Sequence, residues 1–206
     1  MRVLIFHGYL LRGTGSNIYN ANLARASGAG GPTTAEGGGI YLSDALRVTM
    51  QNSVLGANTA RVTSDGTAAS AHGGALAGAL TVGTLMKTRL TGNTAHADST
   101  GDANAAGGAA AVFPNKLTLV SSRVASNLAE AEGGAGNADA SGGGLRISGG
   151  MLVLRTSTVD RNKAAAPSGT AAASGGGVET TGDLTVTRST VSRNRVSAAG
   201  ATLGGG

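Results

Sequence analysis

The segment Leu117-Thr118-Leu119-Val120-Ser121-Ser122-Arg123-Val124-Ala125-Ser126-Asn127 returns later in the chain as Leu184-Thr185-Val186-Thr187-Arg188-Ser189-Thr190-Val191-Ser192-Arg193-Asn194. In both copies an apolar residue alternates with Thr before a Val-x-x-Asn step. That period of two is the pattern of a strand with one buried face. Leu152-Val153-Leu154 and Leu46-Arg47-Val48 occupy the same place in two further copies.

Two markers keep one period along the chain. Glycine clusters open segments at Gly37-Gly38-Gly39, Gly73-Gly74, Gly107-Gly108, Gly142-Gly143-Gly144 and Gly175-Gly176-Gly177, spaced by 36, 34, 35 and 33 residues. About 20 residues after each cluster comes an Asn: Asn58, Asn93, Asn127, Asn162 and Asn194, spaced by 35, 34, 35 and 32. A Leu or Val stands three residues before four of them, and the first copy, Val54 to Asn58, reads as one residue longer. Helical arrays of similar period need long stretches of 3.6-residue periodicity. Here the apolar runs are short, β-branched and punctuated by Gly, which costs a helix about 1 kcal/mol per residue relative to Ala.

The expected fold is therefore all-β, a right-handed parallel β-helix of about five coils starting near residues 37, 73, 107, 142 and 175. At about 4.8 Å per coil it makes a rod of roughly 24 Å. Glycine serves the tight corners, and Asn supplies a left-handed corner residue whose stacked amides form a structural turn ladder. The Ala/Gly/Ser-rich segments after each Asn, such as 164–174, read as loops.

Composition narrows the function classes. The 206 residues include 36 Gly, three Tyr, two Phe and neither Cys nor Trp. Without Cys there is no disulfide framework and no Cys-based zinc site. No apolar run reaches the length of a transmembrane helix. The formal net charge is +5, but the Arg residues are scattered along the chain and few aromatics accompany them. That pattern speaks against nucleic acid as a partner. Arg2 and an apolar run begin the chain, but His7 and Gly8 interrupt it before a secretory h-region is complete, so no signal peptide is expected.

The two markers together resemble the right-handed β-helix repeats of bacterial polymorphic outer-membrane proteins, whose hallmarks are GGA-I and F-x-x-N steps. Residues 37–206 carry the likeness, with Val or Leu in place of the Phe. The resemblance implies a surface-exposed or secreted, adhesin-like structural module, located extracellularly or at the cell surface. It implies glycans or host and cell-surface molecules as partners, and no catalytic centre or cofactor in the repeats.

Residues 1–26 separately resemble the start of a group 1 (GT-B) glycosyltransferase. Arg2-Val3-Leu4-Ile5-Phe6-His7-Gly8-Tyr9 stands for a first strand, Gly13 and Gly15 for a phosphate- or sugar-binding turn, and Ile18 to Ala26 for a first helix. The remainder of that fold has no counterpart here. A competing reading takes Tyr19-Asn20-Ala21-Asn22 as another aromatic-x-x-Asn step, which makes 18–36 a partial coil and 2–11 a capping strand. The expected division is thus a fragment or cap over 1–26 and repeats over 27–206. Leu203-Gly204-Gly205-Gly206 reads as the opening of a further coil.

Polysaccharide-acting β-helix enzymes need convergent carboxylates. Glu179 and Asp183, flanking a predicted strand start, are the catalytic runners-up. Asp98 with Asp102, Glu130 with Glu132, and Gly133 to Asp139 read as solvated loops, and His7, His72 and His96 share no metal-ligand spacing. No metal site is expected. Thr49, Thr84, Thr118 and Thr185 each lie nine residues before an Asn and form a candidate ladder for ice or a crystalline glycan, although Thr also simply suits the solvent face of a strand.

Overall fold

The computed structural model describes residues 4–7, 10–13, 18–199 and 201–203. They form an all-β parallel solenoid of about five turns, with no helix among the described residues. Each turn lays one strand or strand group on each of three stacked sheets. In the turn that begins at Gly73, Leu76–Met86 belongs to the first sheet and Arg89–Thr91 to the second. Thr94–Ser99 and Asp102–Ala106 then form the third.

Parallel register turns sequence period into columns of like residues. Ile40, Leu76, Ala110, Leu145 and Val178 stack in one column, and Met50, Leu85, Leu119, Leu154 and Val186 in another. The second sheet stacks Leu55, Leu90, Val124, Val159 and Val191. Leu55, not Val54, is thus the inward residue of its turn, and the copy is not one residue longer. Leu184 and Val186 continue the first-sheet columns and remain 46% exposed in the last full turn.

The third sheet corrects the loop reading of the segments after Asn. Leu128–Ser141 and Lys163–Ser174 are strands, so Glu130, Glu132 and the 133–139 segment lie within a strand. Asp98 and Asp102 stand on the strands Thr94–Ser99 and Asp102–Ala106. The inward residues are almost all Ala: Ala95, Ala97, Ala129, Ala131, Ala164 and Ala166 are each fully buried. Alternation is present, but Ala is a poor strand former and a small hydrophobe, so its signal is weak.

The corners follow one rule. At Gly107 φ is +60°, and a Cβ there would collide with the Ala110 carbonyl. A Cβ on Gly108 would collide with the Gly143 carbonyl of the adjacent turn. At the Asn corner the left-handed residue is not the Asn but the one before it: Ala57, Gly92, Ser126, Arg161 and Arg193 have φ between +50° and +65°. That geometry turns the Asn side chain inward. A second, equivalent corner precedes the second sheet, where Asn52, Lys87, Ser121, Thr156 and Arg188 are left-handed at φ +48° to +51°. The next residue there is a hydroxyl: Ser53, Thr88, Ser122, Ser157 or Ser189.

At the N-terminus the expected helix over Ile18 to Ala26 is absent. Ile18–Asn20 and Leu23–Gly28 are strands paired with Val54–Gly56 and Thr59–Ser64. Asn22 turns its backbone and side-chain N–H groups onto Asn58 Oδ1 at 3.1 and 2.9 Å. These contacts are the same as those made between later turns, so residues 18–36 lie in the stack as a coil. The strand Leu23–Gly28 runs across the boundary expected at 26/27. Gly13 ends a strand paired with Met50 rather than forming a turn before a helix. Gly15 and Gly204 to Gly206 lie outside the described residues.

Candidate functional site

Two features of the solenoid gather side chains of differing chemistry. The first is a groove where the third sheet hands the chain back, through the glycine corner, to the first. Its columns are Ser70, Asn104, Asp139 and Ala172 on one side, and Ala77, Ala111, Arg146 and Glu179 on the other. Between them runs the column Glu36, His72, Ala106, Ser141 and Ser174. Buried Ala106 and Ala111 line a cavity of about 340 Å³, and a second of about 260 Å³ adjoins it and shares Asn104 and Arg146.

The larger cavity brings His72, Asn104, Arg146 and the hydroxyls of Ser70 and Ser148 beside Phe113. Phe113 is 60% exposed, although an aromatic ring normally carries a large apolar area into a core. The charges near the groove are matched. Arg146 Nη1 donates to Ser141 Oγ at 2.8 Å, and its Nε lies 3.6 Å from Glu179 Oε1. That Nε is buried without a hydrogen-bond partner. Glu179 Oε2 accepts from Ser174 Oγ at 2.8 Å, and His72 Nδ1 faces Glu36 Oε1 at 3.4 Å. Glu36 also lies close to Tyr41. Its negative charge is the main cause raising the Tyr41 phenol above its ordinary value, with burial adding to it.

The runners-up Glu179 and Asp183 stand on different strands, Val178–Thr180 and Asp183–Thr187. Glu179 lines the smaller cavity with Asp139 and Arg146, whereas Asp183 is exposed on the first sheet beside Met151. Nothing in the sequence alone singles out Asn104, Arg146 and Phe113. Their separation of about one repeat, or part of one, was the available signal, and it acquires meaning only once the corner is known to be concave.

The second feature lies on the outer face of the third sheet. His96 is in direct register with Glu130, and Asp98 with Glu132. His96 Nδ1 lies 3.2 Å from Glu130 Oε2, and the ligand atoms of His96, Glu130 and Glu132 lie within 4.8 Å of one another. One imidazole and two carboxylates are a donor set suited to a divalent transition metal. Spacing along the chain conceals the group because its members meet across turns. His72 and His96 are both half-buried strand residues.

The asparagine column is structural. Asn58, Asn93, Asn127 and Asn162 are almost completely buried, and each side-chain amide is consumed by the stack. The column Thr49, Thr84, Thr118, Val153 and Thr185 lies in register on the first sheet, interrupted by the buried Val153.

No protein family matches the chain, and no curated protein or solved structure does so either.

Proposed function

We propose that the chain is a non-catalytic, adhesin-like solenoid module, secreted or displayed at a cell surface, whose corner groove holds a short stretch of glycan. The observation that carries this reading is exposed Phe113 beside Asn104, Arg146 and two serine hydroxyls over an alanine floor. A sugar ring presents an apolar C–H face and a rim of hydroxyls. The groove offers a ring for the first and mixed donors and acceptors for the second. Because its cations and anions are largely paired with each other, a neutral sugar suits it better than a charged one. The likeness of the GG[GA] and [VL]-x-x-N steps to polymorphic outer-membrane protein repeats supports the surface role.

The test is binding of the chain to a panel of immobilised neutral glycans. Phe113→Ala and Asn104→Ala should each weaken binding by roughly tenfold, consistent with loss of one aromatic or polar contact worth about 1–1.5 kcal/mol. Unchanged binding in both variants would remove the groove from consideration.

The placement of Asp139, Glu179 and Arg146 around one cavity favours a second reading, a polysaccharide-cleaving enzyme. It predicts new chain ends released from a polysaccharide and their loss in Glu179→Gln. Absence of new chain ends across acidic and neutral polysaccharides would eliminate it.

A further inference from the structure

The arginines that look scattered in sequence are gathered by the fold. The second sheet and its two bounding corners carry Lys87 and Arg89 in one turn and Arg123 in the next. Arg155 and Arg161 follow, then Arg188 and Arg193. Lys163 and Arg195 stack directly on each other where the third sheet begins. All of these cations are exposed. Asp160 is the acid of this face among the described residues; it is 1% exposed and already shared by three arginines. Its contacts are 2.8 Å to Arg193, 3.5 Å to Arg123 and 3.6 Å to Arg161.

Arg89 and Arg123 are direct register partners on adjacent parallel strands, about 4.8 Å apart along the stack. Like charges placed directly opposite each other destabilise a sheet unless an anion lies between them. Beside this pair is a shallow cavity of about 360 Å³ lined by Lys87, Arg89, Arg123 and the hydroxyl residues Ser121, Thr156 and Thr158. Guanidinium groups with flanking hydroxyls suit the oxygens of a sulfate or carboxylate group.

We propose that this face binds a linear acidic polysaccharide, its sulfate or carboxylate groups seated between successive turns at Lys87, Arg89 and Arg123. A polymer with repeated anionic groups fits a surface whose cations recur from turn to turn. Nucleic acid fits less well, because none of the described side chains on this face is an aromatic platform for bases. The second sheet does not contribute to the corner groove, so this inference does not rest on the glycan reading given for that site.

The experiment measures retention of the intact chain on a sulfated polysaccharide and on a polyuronate, with duplex DNA and an uncharged glucan as comparison probes. The expected result is salt-sensitive binding to one or both acidic polysaccharides, weakened about tenfold or more by the double change Arg89→Ala and Arg123→Ala. Arg47→Ala, which removes an exposed cation on the first sheet, should leave that binding unchanged. Thermal unfolding of each variant distinguishes lost binding from lost fold. Binding unaffected by the double change, equal loss in Arg47→Ala, or tighter binding to DNA than to either acidic polysaccharide would overturn the proposal.

Discussion

The Asn127 side-chain nitrogen donates to Asn162 Oδ1 at 2.8 Å and to the Leu90 carbonyl at 3.0 Å, so one amide ties three successive turns together. In return, Asn127 Oδ1 accepts both the backbone and side-chain N–H groups of Asn93 at 2.9 Å. The arrangement also explains why the third residue of each glycine cluster is Gly or Ala. A Cβ on Gly144 lies 3.0 Å from Asn162 Cγ, so the corner glycines pack directly against the asparagine column.

Replacing Asn127 by Ala should therefore cost more than one hydrogen bond. Both N–H groups of Asn93 lose their buried acceptor, and the Leu90 carbonyl loses its side-chain donor. At about 1–3 kcal/mol for each buried group left unpaired, the loss is about 4 kcal/mol. Urea unfolding followed by circular dichroism measures it. Asn127→Asp keeps the shape but removes the donor to Leu90 and buries a charge, so it should not rescue stability. If either variant unfolds within about 1 kcal/mol of the parent, the column is not the principal tie between turns.

The hydroxyl column makes a smaller, chemically selective contribution. Ser122 Oγ accepts from the Thr88 backbone N–H at 3.0 Å and faces the Leu85 and Val120 carbonyls at 3.0 and 2.9 Å. Ser122→Ala should lose about 1–2 kcal/mol by leaving the Thr88 N–H unpaired. Ser122→Thr should cost much less, because Thr88 already occupies the same column one turn earlier. Equal losses in the Ala and Thr variants would show that the site senses size rather than the hydroxyl.

The glycine and asparagine markers made the stacked coil legible, because each is bound to a backbone geometry that few other residues satisfy. The hydroxyl column was present at a constant five residues before each Asn, yet Ser and Thr are too common in this chain to stand out. The alanine sheet reads as loop in the sequence because Ala carries little of the hydrophobic contrast that reveals a strand. The segment 18–26 admits a helical reading because its coil markers are incomplete; pairing with the next turn decides the matter. The candidate sites were the least legible. His96 with Glu130, and Arg89 with Arg123, are 34 residues apart in sequence and adjacent only through register.

Backbone strain at the asparagine corner gives a prediction of opposite sign. Ser126 is exposed and held at φ +56°, whereas the matching residue one turn earlier is Gly92 at +65°. A non-glycine residue in this region carries roughly 1 kcal/mol or more of strain. Ser126→Gly should raise stability by about 0.5–1 kcal/mol, the gain being reduced by the greater entropy of glycine in the unfolded chain. A higher urea midpoint at unchanged slope is the expected observation; a lower midpoint would contradict the strain argument.

Asp160 offers a test of charge within the second sheet. Its carboxylate receives Arg193 Nε and Nη2 at 2.8 and 3.1 Å, with Arg123 and Arg161 beside it. Asp160→Ala leaves three cations at one corner without their common anion. The expected cost is about 2–3 kcal/mol, less than for a fully buried pair because the arginines are about half exposed. Added salt should recover part of it by screening the remaining repulsion. A loss that does not shrink with salt would assign the role of Asp160 to packing.

Tyr41 supplies a pH dependence whose sign follows from its neighbours. Glu36 repels a phenolate and burial disfavours its charge, so the folded chain holds the Tyr41 proton more tightly than the unfolded chain does. Below the unfolded value of about 10 both states are protonated, and the contribution to stability is complete. As pH rises above about 10 the unfolded state loses the proton first. It then binds fewer protons than the folded state, and stability falls until the folded phenol also ionises. Ultraviolet titration should show one tyrosine ionising above the ordinary range, and Tyr41→Phe should abolish it together with that part of the alkaline loss. Glu36→Gln should shift the late titration back toward about 10, since it removes the charge while retaining a hydrogen-bond acceptor. If the late phase survives Glu36→Gln unchanged, burial rather than the carboxylate holds the Tyr41 proton.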